Sequence, residues 1–245
     1  MLTIWLALTA HAHDYLLAVD RPRRAGNPVV YGVVAHARTR EERRERPDTL
    51  SRLEVVVRGQ ATVVAPQKGS WGEVPMQPGA VGAVVYENTG ATVELAWPRF
   101  CSYVAQEGDP RVLHIVEGLE RDVQHEHYRR SIKLLLGVSR ADSGWDAVVG
   151  MPLELVPLDK PGSTRSMRVR LLEHGTPVVG AKVRAYPYGG HSEEQAVSAL
   201  TDDEGLATLV LPRAKGDWVY AAVVMSHDTS RPVPWQSVWT SLRTQ

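Results

Sequence analysis

Cysteine is all but missing: Cys101 is the single thiol in the chain. That excludes an internal disulfide, a cysteine-ligated zinc site and lipid attachment at a leader cleavage point. A charge excess is missing too, since 28 lysines and arginines balance 28 aspartates and glutamates. Neither nucleic acid nor an anionic membrane surface is therefore an expected partner. Long hydrophobic runs are absent. The apolar start, Met1 to Ala10, is interrupted at His11, well short of the ~20 residues a spanning helix needs. There is no Gly-x-Ser-x-Gly elbow, no glycine-rich phosphate loop and no internal repeat. Asp202-Asp203-Glu204 lacks the ligand spacing of a calcium loop and reads as a plain turn. Without these signatures the chain reads as a binding protein rather than an enzyme.

What is present begins at the N-terminus. Leu2, Ile4, Trp5, Leu6 and Leu8 form a short uncharged run, and Ala10-His11-Ala12 supplies the small-x-small pattern read by a signal peptidase. Residues 1–12 are thus expected to be a signal peptide and the mature chain to be periplasmic or secreted, with no membrane span after cleavage. Cleavage after Ala12 makes His13 the first residue, so that its α-amine and imidazole can chelate one metal ion. Cleavage after Ala10 instead exposes His11-Ala12-His13, whose amine and third-position histidine suit square-planar Cu(II) or Ni(II). A start codon further upstream is the remaining alternative.

The body of the chain reads as all-β. Strands are expected at 29–36, 53–57, 61–64, 81–86 and 92–97, with turn chemistry at Gly59-Gln60, Gly69-Ser70 and Pro78-Gly79. The charged run Arg38 to Arg46 reads as a solvated loop. Phe100, Tyr103 and Val104 have the spacing of a short helix or turn packed under a sheet, with Cys101 buried among them. A very polar segment, Glu117 to Arg130, runs into the apolar strand Ile132 to Val138. Ser139 to Gly144 is the expected linker, dividing an N-terminal β domain (13–144) from a C-terminal immunoglobulin-like β-sandwich (145–245). Met167, Val169 and Leu171 alternate with Arg168 and Arg170 there, and Gly175-Thr176-Pro177 marks a hairpin. The expected architecture is two β-sandwich-like domains in series, with a short helical segment in the first.

Several blocks carry a family resemblance. They are His13-Asp14-Tyr15-Leu16, His127 to Lys133, Gly150 to Pro157, Val169 to Pro177, Thr201 to Gly205, Ser226-His227-Asp228 and Trp235 to Leu242. Together they resemble an uncharacterised family of bacterial periplasmic proteins associated with nickel and cobalt uptake, similar to the M subunit of nickel-transport complexes. The resemblance implies a two-domain periplasmic β protein with a metal-related role and, as partners, the metal ion and a membrane metal transporter or receptor. His13, with Asp14, is similar to the histidine-aspartate pair that opens the family's mature chain. His36 resembles a family glycine-histidine pair, although Ala35 replaces the glycine, and His227 a histidine after the penultimate strand.

His13, His36 and His227 are therefore the expected metal ligands, for nickel, cobalt or copper. An α-amine titrates near ~7.7–8, so a metal can displace its proton close to neutral pH. Asp14 and Asp228 are the adjacent carboxylates that could orient the rings. His125 and His127 share a face only if their segment is extended. His114 reads as a strand-face residue, while His174 and His191 read as loop residues. Tyr128, Arg130 and Lys133 suggest a structural polar network between the halves. Two other readings follow from the same residues. One is a copper-dependent oxidative enzyme, with Trp71, Trp145, Trp218, Trp235 and Trp239 as its substrate surface. The other is an envelope interaction module without metal.

Overall fold

The computed structural model describes residues 14–20, 28–35, 43–45, 50–65, 71–76, 80–106, 109–119, 121–138, 143–188 and 196–244. β1 (Asp14–Asp20) and β2 (Val29–Ala35) pair antiparallel, and β3 (Arg43–Glu45) adds to β2. The charged run is thus not all loop: three of its residues form an edge strand. β4 (Leu50–Val57) and β5 (Gln60–Val63) are joined by Arg58-Gly59, at φ 49 and 76, the left-handed pair of a tight hairpin. β6 (Gly72–Glu73) returns to β2, and β7 (Gly82–Asn88) and β8 (Ala91–Leu95) follow.

Helix α1 (Trp97–Gln106) buries Phe100, Tyr103 and Val104, as their spacing predicts. Cys101 on its flank is half-buried, and burial raises its thiol above the ordinary value. A 3-10 turn, Pro110–Val112, leads into α2 (Leu113–Glu117). The Asp109 side chain caps the turn at the Arg111 amide, with proline at the first position. This helical start puts His114 on α2, exposed, and not on a strand face.

β9 (Gln124–Leu136) fuses the polar segment to the apolar strand in one run of 13 residues. The second half contributes β10 (Leu153–Pro157), β11 (Ser166–Glu173), β12 (Thr176–Pro177), β13 (Lys182–Pro187) and β14 (Val197–Leu200). β15 (Leu206–Val210), β16 (Trp218–His227) and β17 (Trp235–Thr244) complete it. The β11–β12 hairpin turns at His174 and Gly175, both left-handed at φ 48 and 81. Asp202 Oδ1 accepts from the Glu204 and Leu206 amides, fixing the acidic turn before β15.

Three layers result. The central nine-stranded sheet runs β14-β13-β16-β17-β9-β7-β4-β5, with β8 also on β9. Its β9–β17 pair is parallel, from Trp235 opposite Glu126 to Thr244 opposite Leu135. One face packs on the sheet of β10, β11, β12 and β15, burying Leu153, Leu155, Met167, Val169 and Leu171 against Leu135, Tyr220 and Leu242. The other face is covered by the β1–β2 sheet, through Tyr15, Leu17, Val30 and Trp71, and by α1 and α2. The fold is therefore all-β and sandwich-like, with two short α-helices among the described residues. The linker expected at 139–144 lies between β9 and β10, and the central sheet draws strands from both sides of it. Among the described residues no helix is long and apolar enough to cross a membrane.

Candidate functional site

The N-terminal ladder is the first element to consider. β1 and β2 pair from Asp20↔Val29 to Asp14↔Ala35, where the described ladder ends. Leu16, Leu17 and Ala18 are buried in β1, and its two faces meet different cores. Polar links fasten β1 to the central sheet: Ser241 Oγ donates to the Tyr15 carbonyl at 2.7 Å and Arg243 Nη1 to the Leu17 carbonyl at 3.2 Å. The Arg130 guanidinium sits 4.7 Å from the Tyr15 ring centroid and 4.8 Å from that of Tyr128. The next residue beyond each end of the Asp14↔Ala35 pair is His13 and His36. Both histidines lie outside the described residues, as do His11 and His191.

His227 ends β16, its ring 4.5 Å from that of its cross-strand partner Trp235. Asp228 does not orient it. That carboxylate accepts from Ser230 Oγ at 2.6 Å and from Arg231 Nε at 3.2 Å, and these bonds hold it below the usual carboxylate range. Trp235 lies six residues along β17 from Ser241, about 20 Å at strand rise. The attachment of β1 is therefore well removed from His227.

Because β9 is extended, His125 and His127 do share a face. Glu94 is opposite His125, with its oxygen 3.7 Å from His125 Nδ1, and Thr92 is opposite His127. Among the described residues no group of three or more His, Cys, Asp or Glu could hold a metal ion.

Besides Glu154, two buried carboxylates, Glu126 and Asp109, have little signal in the sequence. Glu126 accepts from Tyr103 Oη at 3.1 Å and from Ser237 Oγ, which in turn accepts from Trp239 Nε1 at 3.2 Å. Burial pushes its carboxyl above the ordinary value. Asp109, fully buried, takes Arg111 Nε at 2.8 and 2.9 Å and the Met225 amide at 3.1 Å, closing the part of the β16 edge that β13 leaves uncovered. The signal was weak in both cases. Glu126 stands in a run of polar residues with no period, and Asp109 is marked only by the proline after it.

Lys133 and Glu154 form a buried ion pair at 2.5 Å across the β9–β10 seam, so Lys133 is structural as expected. The tryptophans do not make a platform. Trp71, Trp218 and Trp235 are buried in three different cores.

No curated protein and no solved structure matches the chain. One family model does, over residues 10–226, which is most of its length. The chain belongs to the family described as Domain of unknown function (DUF4198).

Proposed function

We propose that this is an extracytoplasmic binding protein for a transition-metal ion (nickel, cobalt or copper), with His13 and His36 as ligands. The observation that carries the reading is the pairing of Asp14 with Ala35. Antiparallel partners have Cα atoms ~4.5–5.5 Å apart, and each trans peptide adds 3.8 Å. Chain connectivity alone therefore keeps the Cα atoms of His13 and His36 within about 13 Å of each other. Two histidine side chains can close that span on one ion, at bonds of ~2.0–2.1 Å in a zinc-like site.

The donor set suits the assignment. Imidazole nitrogens and an α-amine are borderline ligands of the kind nickel and copper favour, and the amine becomes available if the chain is cut after Ala12. An apolar leader ending in Ala-x-Ala supports an extracytoplasmic location, where a membrane metal transporter or receptor would be the partner. His227 is left out of this site, because β1 is fastened to β17 far from Trp235.

Calorimetric titration of the chain beginning at His13 with Ni(II), Co(II) and Cu(II) tests the reading. One ion should bind per chain, and both His13→Ala and an added N-terminal Met should weaken binding at least tenfold. Equal affinity in all three proteins would remove the N-terminal site.

A further inference from the structure

We propose that the open end of the sandwich between the central sheet and β11 binds a small zwitterion carrying a carboxylate and an ammonium group, of the size of a free amino acid or dipeptide. A cavity of about 380 Å³ opens there. That volume lies within the ~300–1,000 Å³ of small-molecule sites. Arg129 of β9 and Glu173 of β11 line it from the two facing sheets. Neither side chain makes a hydrogen bond to any described residue, so a cation and an anion face the cavity from its two sheets, the Glu173 charge also acting on Arg111. Gln236 and Ser226, on the strands between, add neutral polar groups.

Two further arginines complete the lining, and both are already held. Arg111 is clamped through Nε and Nη2 by the buried Asp109, which leaves its Nη1 side for another acceptor. Arg231 is held at Nε by Asp228. Asp109 and Asp228 offset these two guanidiniums, and Glu173 also acts on Arg111, which leaves Arg129 as the cation without a carboxylate partner among the described residues. The local charges thus balance in number, with Arg129 the most open of the cations. A simple anion gains little net attraction in such a field. A dipolar ligand fits it, with its carboxylate on Arg129 and the free Arg111 edge, where a planar fork matches carboxylate geometry. Its ammonium then meets Glu173. The site involves none of the residues proposed above as metal ligands.

The test is thermal shift and calorimetry on the full chain, with the twenty common amino acids and glycylglycine as probes at millimolar concentration. Succinate and putrescine serve as the anion-only and cation-only arms. At least one zwitterion should stabilise the protein, and its N-acetyl form should not. Arg129→Ala should weaken that binding about tenfold or more, the usual consequence of losing a charge-assisted bond. Glu173→Gln should abolish the preference for the free amine, so that the N-acetyl form binds as well as the parent. Both positions are at the surface, so the variants are expected to fold, and their melting temperatures without ligand verify it. The proposal is overturned if no zwitterion binds, if succinate binds as tightly as any zwitterion, or if affinity survives both substitutions.

Discussion

Ile132 to Leu136 of β9 is covered on both faces, whereas Gln124 to Arg130 of the same strand has one face under α1 and the other at the surface. Each half buries one ionisable group, and the two are handled differently. In the covered half, Lys133 meets Glu154, whose oxygens also accept the amides of Val149, Gly150 and Met151 at 2.9–3.3 Å. In the other half, Glu126 has two hydroxyl donors and, among the described residues, no cation. Burial pulls Lys133 below its ordinary value, with the Glu154 charge opposing, and pushes Glu126 above its own. A buried charge persists where an opposite charge and backbone amides replace water; without them the neutral acid is favoured.

The largest effect should come from Lys133→Ala. It leaves Glu154 buried without its cation and should cost about 3–5 kcal/mol in urea unfolding. A double Lys133→Met, Glu154→Gln variant, which removes the charge but keeps an amide oxygen for the Gly150 and Met151 amides, should recover part of that loss, and no recovery at all would mean that Lys133 matters as packing rather than as charge. Next comes Asp109→Ala, which orphans the Met225 amide and releases Arg111; a loss of about 2–4 kcal/mol is expected by the same measurement.

Glu126→Gln should have a smaller effect, visible mainly in its pH dependence. A carboxyl raised in the folded state lends stability that is complete below its unfolded value, near 4.5, and is lost as pH rises through the folded value. Wild type should therefore lose stability relative to the variant as pH rises above 4.5. Parallel urea midpoints across that range would show that Glu126 is charged, and would erase the contrast with Glu154. Smallest of all is His174→Asn, which suits a left-handed turn position better than histidine and should stabilise by about 0.5 kcal/mol in thermal melts.

The sequence revealed elements whose partners are near in the chain. Met167, Val169 and Leu171 alternate because one face of β11 is buried and the other is not. Phe100, Tyr103 and Val104 repeat at helical spacing because α1 lies on a sheet. The polar half of β9 leaves no local pattern because it lies between β8 and a parallel partner more than a hundred residues away, with one face under α1 and the other at the surface. Tyr186 broke the alternation of β13 for a similar reason: β1 covers the face that a two-layer sandwich would expose. Of the candidate metal ligands, His227 could be located from sequence as a strand end, but its packing on Trp235 could not. Arg129 and Glu173 come from different sheets, and no spacing announces that they line one cavity.

The central claim is that the β1–β2 ladder brings His13 and His36 to one ion. Its most direct test is copper titration of the chain beginning at His13, comparing His36→Ala with His227→Ala. The account predicts at least a tenfold loss of affinity for His36→Ala and wild-type affinity for His227→Ala. The opposite pattern, with His36→Ala binding normally and His227→Ala failing, would contradict it.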